Sequence, residues 1–146
     1  MFPVDAKILM VDDSGFSRSM LKSALRELKF WKILEAKDVA DAQKCLEEDE
    51  QKADPVHLII CDQQMPEKTG LEFIKWLRDQ ERFKAMPIIM LTTSHEKTVI
   101  VEAGKLGVSN YMIKPFDANT LRVRLTSTWE RAGQKYYEEN QATKVV

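Results

Sequence analysis

The sequence predicts an α/β fold, a doubly wound parallel sheet built from five βα units in one domain. Three observations carry this. Short apolar runs alternate with longer segments of helical spacing along the whole chain. The third and fourth runs are apolar almost throughout, as strands covered on both faces must be. The chain of 146 residues, 44% of them hydrophobic, is long enough for one real core and too short for two comfortable ones.

The first run is "KILMV" (7–11), and the helix after it places Met20, Ala24, Leu25 and Leu28 on one face. "WKILEA" (31–36) precedes a stripe of Val39, Ala42 and Leu46, and "HLIIC" (57–61) precedes Leu71, Ile74 and Leu77. "PIIML" (87–91), opened by Pro87, leads into Val99, Ala103 and Leu106, with Gly107 placed to cap the helix C-terminus. "YMI" (111–113) leads into Leu121, Leu125 and Trp129, with Asp117 or Asn119 as N-cap. Met10, Met90 and Met112 read as core, and Ile100 and Val101 lie off the fourth helix's stripe. "EEDEQKADP" (47–55) reads as a solvated helix end and loop. Gly133 is a candidate end for the last helix, leaving a polar tail whose Tyr136 and Tyr137 either dock back on the domain or stay exposed, and a frayed terminus. Five such units with right-handed crossovers restrict the topology to a doubly wound sheet.

Composition excludes several classes. A net charge of −1 with interspersed signs leaves no nucleic-acid footprint and no basic membrane patch. Cys45 and Cys61 imply no disulfide framework and fit a reducing, cytoplasmic location. "MFPVDAKILMVDD" lacks the pattern of a signal peptide, and no apolar run reaches membrane-spanning length. Cys45, Cys61, His57 and His95 show neither metal-ligand spacing nor a nucleophile–base arrangement, so packing or surface roles are expected.

Chemistry gathers at the carboxyl ends of the strands, where open parallel sheets bind ligands. Asp12 and Asp13 follow the first strand, Asp62 the third, Thr92 the fourth, and Lys114 with Pro115 the fifth. Each alone has a plain structural alternative. Asp62 would serve equally as a strand-end turn residue, Lys114 as a surface amine, and Thr92 or Thr93 as a turn hydroxyl. Together they form one edge. Three carboxylates cannot all stay ionised there without a counter-charge, and a hard divalent cation with oxygen ligands supplies it. A carboxylate beside metal, amine and hydroxyl reads as a phosphoryl-accepting aspartate.

"VDDS", "CDQQMPEKTGLEFI", "MLTT" and "YMIKPF", in this order and spacing, resemble the receiver domain of two-component response regulators, the CheY-like family. The resemblance covers residues 5–130, leaves 131–146 as a C-terminal helix extension or tail, and is closest in character to stand-alone chemotaxis receivers. It implies a flavodoxin-like sheet of strand order 2-1-3-4-5. It implies Asp62 as phosphoacceptor, with Mg²⁺ (or Mn²⁺ in its place) held by Asp13 directly, Asp12 mostly through water, Asp62, and the backbone carbonyl of Gln64. Thr92 and Lys114 would bind the phosphoryl group, the Lys114–Pro115 peptide would be cis, and Tyr111 would be the aromatic switch that turns inward as Thr92 moves.

The implied function is a phosphorelay signalling switch rather than an enzyme, with self-phosphorylation and autodephosphorylation as its only chemistry. Its phosphodonor would be a histidine kinase or a histidine phosphotransfer protein. Its output would be a protein partner on the face formed by the fourth helix, fifth strand and fifth helix, with no nucleic acid and no membrane involved. The chain would be a monomer or a phosphorylation-dependent dimer, with a chemotaxis role by analogy. Departures matter too. Gln64 replaces the asparagine of well-known relatives and Ser94 an acid, which implies a different lifetime of the phosphorylated state, in either direction. Gln63 stands where some relatives carry tryptophan, so Trp31, Trp76 and Trp129 are expected to report phosphorylation poorly. Rival readings are weaker. A haloacid-dehalogenase-type phosphatase wants an aspartate at Gln64, a flavodoxin-like cofactor binder wants no acids in "DDSGFSR", and a phosphate-independent receiver would not need the full acid set. No DNA-binding or other output module fits after Trp129, which favours a stand-alone regulator over a receiver cut from a longer one.

Overall fold

Alternation within continuous apolar runs gives each central strand two buried faces. The structure, a computed structural model, describes residues 1–49, 54–93 and 97–140. Strands β1 (Ile8–Val11), β2 (Ile33–Ala36), β3 (Leu58–Asp62), β4 (Ile88–Thr92) and β5 (Asn110–Ile113) form one parallel sheet in the order β2-β1-β3-β4-β5. Helices α1 (Gly15–Glu27), α2 (Val39–Asp49), α3 (Gly70–Arg78), α4 (Lys97–Lys105) and α5 (Ala118–Thr128) connect and cover it. A π-helical turn (Trp129–Gly133) and α6 (Gln134–Glu139) follow α5 without a break.

Every residue of β1, β3 and β4 is buried. Leu9, Val11, Ile59, Cys61, Ile88 and Met90 face one way, against α2, α3 and α4. Ile8, Met10, Leu58, Ile60, Ile89 and Leu91 face the other, against α1 and α5. Burying each such side chain contributes about 1.5–3 kcal/mol, and the two layers hold the three central strands in fixed register. Caps set where the helices begin. Ser14 accepts from Ser17 N at α1, Thr69 and Glu72 form a reciprocal capping box at α3, and Asp117 rather than Asn119 caps α5. Gly107, at φ 71°, ends α4 as expected.

Three expectations are corrected. Met20 is 53% exposed, and Leu21 takes its place on the α1 core face beside the expected Leu25, Ala24 and Leu28. Leucines at 21, 25 and 28 satisfy the same spacing that Met20 only begins. The 47–55 segment is not simply solvated. Asp49 is 3% exposed, takes an ion pair from Lys7 Nζ at 2.6 Å and a hydrogen bond from Val56 N at 2.8 Å, and Lys7 also donates to the Asp54 carbonyl. Third, Gly133 does not end the helix. It is buried because Phe2 packs there, and the helix runs on to bury Tyr136 and seat Tyr137 on His57 and Trp129, with ring centroids 4.7 and 5.8 Å away. Tyr136 donates to the Arg82 carbonyl at 3.4 Å, and burial pushes its phenol up to about 12.

Two stability predictions follow from this edge of the sheet. A methyl on Gly133 would lie 2.5 Å from Cζ and 2.9 Å from Cε1 of Phe2, a ring 2% exposed and held edge-on by Trp129. Overpacking costs about 1–3 kcal/mol and outweighs the helix-propensity gain of about 1 kcal/mol from replacing glycine. Gly133→Ala is therefore expected to lower the urea midpoint, and adding Phe2→Leu to recover part of the loss. His57 Nδ1 accepts from Lys7 N at 3.0 Å, and its buried Nε2 has no hydrogen-bond partner among the described residues. Burial depresses its pKa from 6.5, and Lys7 and Lys32 add to that while Asp54 and Asp5 oppose it. The unfolded chain thus binds the extra proton first, so His57 removes stability as pH falls below about 6.5, by at most about 1.4 kcal/mol per pH unit. His57→Gln is expected to flatten that limb of a stability–pH profile.

Candidate functional site

Register brings the acids together. Val11 pairs with Cys61, so Asp12 and Asp62 stand side by side at the ends of β1 and β3. Thr92 pairs with Ile113, so Lys114 follows immediately at the same edge, its N–H donating to the Thr92 carbonyl at 2.8 Å. The Lys114–Pro115 peptide is cis. Carboxylate oxygens of Asp12, Asp13 and Asp62 all lie within 4.8 Å of one another. Lys114 Nζ is 2.8 Å from Asp12 Oδ2 and 3.5 Å from Asp62 Oδ2. Five of the sequence-predicted residues, Asp12, Asp13, Asp62, Thr92 and Lys114, therefore occupy one strand edge.

Their environments differ. Asp12 is 2% exposed, and its other carboxylate oxygen accepts from Ser14 N at 2.9 Å while its carbonyl accepts from Arg18 at 2.7 Å. Asp13 is exposed. Asp62 is nearly buried, and burial raises its pKa; Lys114 pulls it back, Asp12 pushes it up again, and the Gln64 N–H lowers it. The net direction is upward, which marks a site short of positive charge. Three carboxylates face one ammonium within this cluster. That donor set, all hard oxygens with one acid open to solvent, fits a small divalent cation. Gln64 is exposed in the loop beyond Asp62. The neighbouring thiol of Cys61 is raised above its ordinary pKa by burial and stays protonated, so it offers no competing nucleophile.

Thr92 is 3% exposed at the end of β4 and also lines a cavity of about 240 Å³. Tyr111, half-buried and in register with Met90, shares that cavity with Ile100, Ala103 and Arg124, whose guanidinium lies 5.7 Å from the tyrosine ring. The cavity thus lies between Thr92 at the end of β4 and helices α4 and α5, on which Val101 and Val123 are exposed. Ser94 and His95 lie outside the described residues. Trp31 is 62% exposed, Trp129 packs on Phe2, and Trp76 stacks on Phe73 at 6.1 Å.

Some site residues escaped sequence reasoning. Ser17 Oγ lies 3.4 Å from Lys114 Nζ, and Ser14 both caps α1 and holds Asp12. Gly70 lets α3 approach the acceptor strand, since a Cβ there would sit 2.5 Å from the Asp62 carbonyl oxygen. The signals were present: "SGFS" carries an N-cap serine three residues before Ser17, and "TGLE" is a capping box opening on glycine.

Comparison with known proteins matches this geometry. The family model of the response regulator receiver domain fits residues 8–126. Chemotaxis protein CheY1 of Helicobacter pylori is 40% identical over 119 residues, covering 82% of this chain and 93% of that protein. Chemotaxis protein CheY of Pseudomonas aeruginosa is 34% identical over 125 residues, covering 86% and 97%. The structure of the chemotaxis response regulator CheY4 of Vibrio cholerae superposes with a TM-score of 0.72 at 33% identity, covering 85% of this chain and 98% of that one.

The charge imbalance predicts a stability effect that needs no ligand. With divalent cations chelated by EDTA, Asp13→Asn removes one of three mutually repelling charges without touching a buried contact. Unfolding free energy is expected to rise by about 1 kcal/mol at neutral pH, the scale of a like-charge pair about 4 Å apart when one partner is open to water. A variant no more stable than the parent would mean that the cluster is already neutralised.

Proposed function

The chain belongs to the response regulator receiver domain family, and from that premise we propose that it is a phosphorylation-driven signalling switch that accepts a phosphoryl group on Asp62. The observation that carries this reading is the convergence of Lys114 with Asp12 and Asp62, from three strands, on one sheet edge. An oxygen of the Asp62 carboxylate attacks the donor phosphorus in line. The P–O bond to Asp62 forms as the P–N bond of a phosphohistidine breaks, and the imidazole leaves as the neutral ring, taking the P–N electron pair and keeping the proton already on its other nitrogen. Asp13, Asp12, Asp62 and the Gln64 carbonyl would hold Mg²⁺, which when bound neutralises charge on the transferring oxygens. Lys114 supplies the second positive charge and Thr92 a hydroxyl donor. Asp62 accepts rather than catalyses turnover, so the output is a protein state and not a released product.

That state is read out by a population shift. Thr92 and Lys114 bind the new charge in one arrangement only, and Thr92 and Tyr111 line the same cavity, which couples the site to the α4–β5–α5 face. The donor is a histidine kinase or a histidine phosphotransfer protein, and the partner a protein docked on that face. The names of the relatives above support a role in chemotaxis, in the cytoplasm; among the described residues no helix is long and apolar enough to cross a membrane. The domain proper is taken as residues 5–130, with 131–146 as an extension.

Intact mass after incubation with acetyl phosphate tests the chemistry. One added phosphoryl group is expected with Mg²⁺, none in EDTA and none in Asp62→Asn. A Mg²⁺-independent adduct, or one that persists without Asp62, would overturn the assignment.

A further inference from the structure

Gln63, the residue after the acceptor, bonds to the N-terminus of a helix seven residues away. Its backbone carbonyl accepts from Gly70 N at 2.9 Å, and its side-chain Oε1 accepts from Leu71 N at 2.9 Å. These are two of the N–H groups that a helix start leaves without intrahelical partners, and the local cap, Thr69 Oγ1, takes a third from Glu72. α3 therefore has two independent caps, one local and one reaching back to the acceptor strand. Gly70 makes the second possible, because its missing Cβ would also lie 3.0 Å from Gln63 Cα and 3.1 Å from Gln63 Oε1.

The staple closes the loop 64–69 at its base. Gln63 is pinned on the other side as well, its N–H donating to the Leu91 carbonyl at 2.9 Å. The first residue of that loop is Gln64, whose N–H bonds the Asp62 carboxylate. Its carbonyl is the only backbone ligand in the proposed metal site. The direction of that carbonyl is set by the backbone on either side of it. The Gln63 amide fixes that backbone.

We propose that Gln63 is a positioning residue for the divalent cation, acting through Leu71 N and the α3 N-terminus to aim the Gln64 carbonyl at the three carboxylates. The proposal rests on the metal-site reading above and goes beyond it, since Gln63 itself touches neither cation nor phosphoryl group. Outer contacts that orient a ligand typically change metal affinity by about 10–100-fold when lost, and a single neutral hydrogen bond belongs at the low end of that range.

The test compares two ways of removing a cap from the same helix. Gln63→Leu keeps the side-chain size and removes the acceptor; Thr69→Ala removes the local cap and leaves Gln63 in place. Mg²⁺ affinity of the full chain is read by isothermal titration calorimetry, and the Gly70 and Leu71 amides by NMR hydrogen exchange. Gln63→Leu is expected to weaken Mg²⁺ binding about tenfold and to speed exchange at Leu71 but not at Gly70, whose acceptor is backbone. Thr69→Ala is expected to lower the melting temperature while leaving Mg²⁺ affinity within about twofold of the parent, a change too small to count as a lost ligand contact. Unchanged affinity in Gln63→Leu, or equal losses in both variants, would overturn the proposal and reduce Gln63 to a helix cap. A parent chain that does not bind Mg²⁺ would overturn the metal site itself, an outcome distinct from either.

Discussion

Lys114 and Asp12 are 102 residues apart in sequence and 2.8 Å apart in space, and the pair can form only if four strands are parallel and in one register. Val11 must face Cys61, Asp62 must face Leu91, and Thr92 must face Ile113. A slip of one residue in any of these pairings would put Asp12, Asp62, Thr92 and Lys114 out of line with one another. The continuous burial of β1, β3 and β4 on both faces is what forbids the slip. The apolar interior and the charged edge are thus one construction. The strands stay rigid because they are buried, and they are long enough only to deliver their last residues to the surface.

The two ends of the sheet treat buried polarity differently. At the carboxyl edge, like charges are crowded and Asp62 is held above its ordinary pKa by burial and by Asp12. At that edge three carboxylates face the single ammonium of Lys114. At the amino edge, Lys7 is matched to Asp49 and to the Asp54 carbonyl, its N–H is taken by His57, and Lys32 is paired to Asp54 at 2.7 Å. Aromatic rings from both chain termini, Phe2 and Trp129 with Tyr137, then close over this end. A buried pair of this kind fixes geometry more surely than it adds stability, and breaking one partner would leave the other uncompensated. Like charge is concentrated where chemistry is proposed, whereas at the opposite end only His57 Nε2 and Asn110 Nδ2 are buried without a partner among the described residues.

What could be read from the sequence follows the range of the interactions. Parallel strands with both faces buried leave an unbroken apolar signature, so all five runs were visible, with limits off by one or two residues. Strand order and the meeting of Asp12, Asp13, Asp62, Thr92 and Lys114 followed from the motif set, because a parallel sheet sends every carboxyl end to one edge. Interactions decided by a distant partner were not visible. Gly133 looks like a stop until Phe2, 131 positions earlier, is found against it. Asp49 looks solvated until Lys7 reaches it from β1's flank. Met20 and Leu21 are both apolar and adjacent, and only the tilt of α1 on the sheet puts Leu21 inward and leaves Met20 beside Phe16 and Phe116, on a groove of about 290 Å³.

The same ion pair sets the terms on which phosphorylation can act. In the chain as it stands, the Lys114 ammonium is closer to Asp12 than to Asp62, 2.8 against 3.5 Å. The lysine reaches a phosphoryl group on Asp62 only if that group attracts it more strongly than Asp12 does. A unit pair at 4 Å is worth about 4 kcal/mol at an effective dielectric of ~20, and a phosphoryl group carries about −1.5 to −2 charges, so the new attraction approaches twice the old. A cation held by Asp12 and Asp13, as proposed, would weaken the old attraction further. Moving a two-state equilibrium from 1:99 to 99:1 takes about 5.5 kcal/mol of differential binding. Under the proposed function, the extra charge of a phosphoryl group and a cation held by Asp12 would both add to that difference, and a hydrogen bond from the Thr92 hydroxyl would act in the same direction. An edge of three acids and one lysine is arranged so that these contributions would add.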